Sequence, residues 1–160
     1  MERINKILNH DLFIENLRKN EMAEEDRLFC HHDMVHFMDV ARIGYILSME
    51  EGLSVPKDWI YAAALLHDIG RHRQYAEGIP HEKASAGIAP EILRACGFDD
   101  KETLVILSAI LSHRDKTVAE EKSLSGILYR ADKLSRACYC CKAEADCDWK
   151  KDKKNLKITL

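Results

Sequence analysis

Apolar positions along this chain recur at helical spacing, and no alternating strand pattern of useful length interrupts them. Near the N-terminus Ile4, Ile7, Leu8, Leu12 and Ile14 form one stripe, which predicts a first amphipathic helix to about Arg18. A second helix is expected from about Asp33 to Glu50, with Gly52 as its stop. Pro56 opens a third, which carries the most continuously apolar run of the chain, Trp59 to Leu66, as far as His67 and halts at Gly70. Residues 71–80 are polar and contain Gly78, so the pattern predicts a loop there. A fourth helix begins near His81 and ends at Cys96-Gly97. Asp99-Asp100 start a fifth with negative charge in its first turn, as the helix dipole favours, and it runs to about His113. A sixth is expected from about Glu121 to Cys140. The stretch from Asp148 to Lys154 is too charged for a core and is expected to be solvated. The fold class that follows is all-α, a bundle of helices joined by short loops. It reads as one domain over residues 1–140 with a Cys- and Lys-rich tail over 141–160.

Composition narrows the function classes. At 160 residues and 46% hydrophobic content the chain can bury a real core, so disorder is excluded. A net charge of -3 supplies no basic field for nucleic acid. The longest apolar runs are too short to span a bilayer, and the first ten residues lack a signal-peptide core. The expected compartment is the cytoplasm, with the 6 cysteines reduced. The first amphipathic helix would suit a homodimer.

The positions of the 8 histidines change the picture most. His36 is followed by Val40, Ile43 and Leu47 at i+4, i+7 and i+11, which puts it on the apolar stripe of the second helix. His67-Asp68 closes the apolar third helix, and His81 opens the fourth. His113 shares a face with Ile106 and Ile110 of the fifth, and Asp132 borders the apolar face of the sixth. Singly, each reads as a hydrogen-bonded core histidine, a capping group or a paired carboxylate. Jointly, four histidines and two aspartates stand at inner faces or ends of successive helices, the way helical bundles assemble metal sites. A nitrogen donor beside an anionic oxygen suits a divalent transition metal, and Fe, Mn, Zn, Ni or Co fit better than Mg alone.

The order His36, His67-Asp68, Asp132 resembles the H…HD…D signature of the HD-domain superfamily of metal-dependent phosphohydrolases. The flanks His36-Phe-Met-Asp-Val-Ala41, Ala64-Leu-Leu-His-Asp-Ile-Gly-Arg71 and Tyr129-Arg-Ala-Asp-Lys133 are similar as well. The resemblance covers roughly residues 30–136. His81 and His113 are similar to the extra histidines of binuclear members, and the arrangement looks closest to bacterial enzymes that split diadenosine tetraphosphate symmetrically. The resemblance implies a phosphoester or phosphoanhydride of a nucleotide or related molecule as substrate. It implies His36, His67, Asp68 and Asp132 on one ion, and His81 and His113 on a second, with Asp68 as the bridge. Two such ions can share a hydroxide and neutralise phosphoryl oxygens, so no Ser or Cys nucleophile is required, and no nucleophile elbow or phosphate loop is present. Two rival readings remain: a metal-bound module that senses a nucleotide without cleaving it, and a di-iron oxygenase with a similar ligand pattern.

Phosphate also needs cations. Arg71, three residues after Asp68, is the leading clamp and, with Asp68, the expected catalytic pair. Lys133 and Arg136 are weaker substrate-binding candidates, and Arg114 is ambiguous. His31 and His32 precede the first ligand and read either as exposed histidines or as outer contacts. The group that protonates the leaving oxygen is a water or an unassigned histidine. Cys138 and Cys141 have C-x2-C spacing, with Cys140, Cys147 and distant Cys30 as the remaining thiols. That segment reads either as small hydrophobes at a helix end or as an incomplete structural zinc site.

Overall fold

The computed structural model describes residues 1–160. Eight α-helices follow in order: α1 (Glu2–Leu8), α2 (Asp11–Ala23), α3 (Met34–Glu50), α4 (Lys57–Leu66), α5 (Arg71–Glu77), α6 (His81–Ala95), α7 (Asp100–Ser112) and α8 (Leu124–Leu134). There are no strands, so the fold is all-α as the periodicity predicts.

The uninterrupted apolar run has a direct structural reason. Helix α4 touches α1, α3, α6, α7 and α8, so beyond its first turn and the half-buried Tyr61 it is closed off from water. Ile60 and Ala62 through Leu66 are all buried. An ordinary surface helix keeps a polar face, whereas a helix surrounded on all sides cannot. The three alanines let neighbours come close. So does Gly44 on α3, where an added Cβ would stand 3.0 Å from Ile60 Cγ2 and 3.3 Å from Ile127 Cγ2. Helix α1 is fastened to this core by Arg3, which pairs with Asp58 on α4 and, at 2.6 Å, with Glu102 on α7.

Four expectations change. The single N-terminal helix is two, because Asn9 caps the end of α1 and the His10 ring caps α2, its Nδ1 accepting from the Leu12 amide at 3.3 Å. The apolar stripe survives the break, with Ile4, Ile7 and Phe13 buried. The loop expected over 71–80 contains α5. Its polar residues are held as helix by an Arg73–Glu77 pair at 2.9 Å one turn apart and by Asn20 of α2, whose Oδ1 accepts from the His72 amide at 2.8 Å. Gly78 ends it at φ 70°. The sixth predicted helix is shorter at both ends, starting after the Ser123 cap and stopping at Ser135. Only a 3₁₀ turn remains at Cys138–Cys140. Residues 148–153 are exposed as expected, but the chain then returns. Asn155 Nδ2 donates to the carbonyls of Lys133, Leu134 and Arg136 at 2.8–3.2 Å, satisfying the open end of α8.

Candidate metal centre

Helices α3, α4, α6, α7 and α8 deliver their polar residues to one buried spot. Asp33 caps α3 by accepting the His36 amide at 3.0 Å, which places His36 in the first turn facing inward. His67 and Asp68 follow directly after α4, buried by the same neighbours that bury the helix. His81 begins α6, His113 caps the C-terminal end of α7, and Asp132 lies in the last turns of α8. All six residues expected from the sequence therefore meet.

They meet as two clusters. His36, His67 and Asp132 form one, and Asp68, His81 and His113 the other, with the donor atoms of each cluster all within 4.8 Å of one another. The Asp68 carboxylate lies between them. Its Oδ1 is 3.2 Å from His81 Nε2 and 3.6 Å from His113 Nε2, while its Oδ2 is 3.5 Å from His67 Nε2. Asp132 Oδ1 is 3.6 Å from His36 Nε2 and 3.8 Å from His67 Nε2.

The ring orientations are fixed from behind. His67 Nδ1 donates to the Ala64 carbonyl at 2.7 Å and His113 Nδ1 to the Ile110 carbonyl at 2.6 Å. His81 Nδ1 is 2.6 Å from Gln74 Oε1. Ser135 Oγ donates to the Asp132 carbonyl and so accepts from His36 Nδ1 at 3.2 Å. For His67 and His113 a carbonyl that can only accept puts the proton on Nδ1 and leaves Nε2 as a bare lone pair in the neutral ring, whereas His81 Nδ1 lies between the Gln74 oxygen and Arg71 Nη1, which can only donate. The Nε2 atoms face each other in pairs, His36 with His67 at 3.3 Å and His81 with His113 at 3.2 Å. Asp68 Oδ1 adds a buried anionic oxygen with no hydrogen-bond donor at all. Converging lone pairs around an orphaned buried carboxylate repel unless a cation joins them. The donor set fits divalent transition-metal ions.

The electrostatics agree. Burial and the neighbouring His67 lower His36 from 6.5 to about 4, and burial lowers His81 to about 3 despite the nearby Asp68. Burial lowers His113 as well. For His67 burial is outweighed by the charges of Asp68 and Asp132, which raise it. Burial opposes ionisation of Asp68 and Asp132, yet the surrounding imidazoles hold both carboxyls well below the usual range. The rings of His36, His81 and His113 are thus uncharged near neutrality, as metal ligands must be.

The remaining candidates are placed differently. Arg71 reaches the site, its Nη1 2.5 Å from His81 Nδ1. Lys133 is spent on structure, with Nζ 2.5 Å from Asp132 Oδ2 and 2.9 Å from the His113 carbonyl. Arg136 lies over the Trp149 ring at 4.2 Å, and Arg114 pairs with Glu82 at 3.4 Å. His31 is exposed, but His32 is turned inward, its Nε2 3.6 Å from Asp68 Oδ2. The thiols of Cys138, Cys140, Cys141 and Cys147 are free, and they do not converge as the His and Asp donors do.

Sequence reasoning missed the residues that stand behind the inward-turned side chains: Asn20 behind Asp68, Glu24 behind His32, Gln74 behind His81 and Ser135 behind His36. One signal was available for two of them. Phe13, Asn16, Asn20 and Glu24 recur at three- and four-residue spacing along α2 and its C-cap, and all four are buried. A polar residue repeated on the inward stripe of a helix marks a site being supported.

Comparison with known proteins agrees with the geometry. The HD domain family model matches residues 33–137, which run from the cap of α3 past the end of α8. An uncharacterized protein of Clostridium beijerinckii is 45% identical over 158 residues, 99% of each chain. The crystal structure of a predicted HD superfamily hydrolase from an uncultured Thermotogales bacterium superposes with a TM-score of 0.62 at 28% identity, covering 89% of this chain and 81% of that one. The motif order, the buried histidine–aspartate cluster and these likenesses agree: the chain belongs to the HD-domain family.

Proposed function

We propose that this protein is a metal-dependent phosphohydrolase with a binuclear centre, acting on a phosphoester or phosphoanhydride of a small molecule such as a nucleotide. The observation that carries the reading is the Asp68 carboxylate between two histidine clusters, with its buried Oδ1 lacking any donor. His36, His67, Asp132 and Asp68 Oδ2 would hold one ion, and His81, His113 and Asp68 Oδ1 the other. Bound there, divalent ions supply Lewis acidity, which acidifies water and neutralises phosphoryl charge.

The chain's own residues do the rest. Ser135, Gln74 and the Ala64 and Ile110 carbonyls keep every Nε2 aimed at the centre. Lys133 holds Asp132 in place. Arg71 is a fixed cation beside His81, where its guanidinium can take two phosphoryl oxygens at once. Tyr75 steadies it from the side, its hydroxyl accepting from Arg71 Nε at 3.1 Å.

The test is a screen of phosphodiesters and dinucleoside polyphosphates with Fe, Mn, Zn, Ni and Co, run beside metal analysis. Wild type should bind two equivalents of metal and release phosphate or nucleotide, and Asp68→Ala should lose both properties. Full metal content and turnover in Asp68→Ala would overturn the assignment. Turnover that consumes dioxygen and releases no phosphate would move the protein to oxygenase chemistry.

A further inference from the structure

Glu24 is a buried carboxylate, 2% exposed, whose hydrogen bonds go to His32 and Tyr75 and to none of the six motif residues. A buried carboxylate is costly unless its acceptors are filled. Those of Glu24 are filled mainly by one residue. Its Oε2 accepts from the His32 amide at 2.7 Å, and its Oε1 pairs with His32 Nδ1 at 2.6 Å. The Tyr75 hydroxyl donates to the same Oε1 at 2.5 Å. Burial resists ionisation of this carboxyl, but the His32 and Tyr75 hydrogen bonds more than offset it and hold Glu24 at about 2. An anionic Glu24 puts the proton on His32 Nδ1 and leaves Nε2 to face the opposite way.

What Nε2 faces is the centre. It lies 3.6 Å from Asp68 Oδ2, the separation that His67 (3.5 Å) and His113 (3.6 Å) keep from the same carboxylate. The ring packs edge-on against His36, with centroids 5.5 Å apart. His32 is therefore built as the other four histidines are, with Nδ1 tied to an oxygen behind and Nε2 turned inward. A histidine–carboxylate pair of this form is what fixes the tautomer and raises the basicity of metal-bound imidazoles.

We infer that His32 is a further ligand of the centre, its Nε2 completing the coordination of the ion served by Asp68 Oδ2, with Glu24 and Tyr75 as positioning residues. The inference rests on the proposed metal centre and assigns one of its ions a donor outside the six motif residues.

Cobalt(II) is the probe, since its visible absorption reports coordination number and geometry directly. Metal-free wild type, His32→Ala, His32→Phe and Glu24→Gln would be titrated with cobalt, following absorption and stoichiometry, with a thermal melt of each metal-free protein as a folding check. The Phe variant keeps the ring's volume and removes the donor. In both His32 variants one of two cobalt equivalents should bind at least about tenfold more weakly, with an altered spectrum. Glu24→Gln should fall between them and wild type. Wild-type affinity and spectrum in His32→Ala, or their restoration in His32→Phe, would overturn the inference and leave the six-residue centre standing. A wild type that binds no cobalt would instead remove the centre itself.

Discussion

Ser135 shows how much a single hydroxyl does here. It links Asp132 to His36 by donating to one backbone carbonyl and accepting from one ring nitrogen. Ser135→Ala removes only that link. Metal affinity should drop by about ten- to a hundredfold, the usual cost of losing an outer partner of a ligand, while the metal-free protein loses no more than about 1 kcal/mol. Competition against a chelator and a denaturant titration would separate the two effects. Asn20 works the same way on backbone. Fully buried, it donates to the Asp68 carbonyl at 2.9 Å and accepts the His72 amide at 2.8 Å, so it sets the turn that aims Asp68. Ser135 was not legible from sequence, and Asn20 only as one polar member of the inward stripe of α2. His36, His67, Asp68, His81, His113 and Asp132 stood out as candidates, because titratable side chains sat on apolar stripes or at the ends of successive helices and matched a spaced motif. A serine at a helix end carries no such contrast.

At the scale of elements, the site depends on how tightly the turn after α4 packs on α6. Gly70 stands at that contact, its amide donating to Ser85 Oγ at 3.0 Å. A Cβ there would fall 2.6 Å from the Ser85 nitrogen and 2.7 Å from the Ala84 carbonyl carbon. These are backbone atoms, so no side chain can swing aside. Gly70→Ala must push α6 away from α4, and with it His81 from Asp68. Unfolding free energy should fall by roughly 2 kcal/mol or more, in the range of overpacked cores, and cobalt binding should weaken at the Asp68–His81–His113 cluster. A variant with wild-type melting temperature and metal affinity would show that α6 has slack that this contact denies. The Gly70 stop was readable from sequence as a helix end, but its closeness to α6 was not, since proximity of distant segments leaves no local mark. Helix α5 was missed for a related reason. Its residues are polar because it lies on the surface across α2 and α6, and polarity with a following glycine reads as a loop.

For the whole molecule, the buried cluster ties stability to pH. His36, lowered to about 4, and His81, lowered to about 3, remain neutral in the folded metal-free protein while their unfolded counterparts protonate below 6.5. The unfolded chain then binds more protons, so stability declines as pH drops from 6.5. His113 acts in the same direction. Glu24, held at about 2 against an ordinary 4.5, extends the loss below pH 4.5, and Asp68 and Asp132 add to it. His67 opposes them, because a raised histidine contributes stability that is present below 6.5 and lost as pH rises through its folded value. Three histidines and three carboxylates outweigh one. The drop at His36 from 6.5 to about 4 is alone worth on the order of 3 kcal/mol, a large share of the stability of a domain this size. The melting temperature of the metal-free protein should therefore fall continuously from pH 7 to pH 4.5. Added cobalt should raise it most at pH 7, because bound ions stabilise only the folded state and a proton on His67, whose folded value is raised, competes for that ring's Nε2. The gap between loaded and metal-free melting temperatures should narrow as pH falls. A metal-free melting temperature that stays flat across that range would mean the inward histidines take up protons freely in the folded state, and the centre would not be the desolvated donor cluster on which metal binding depends.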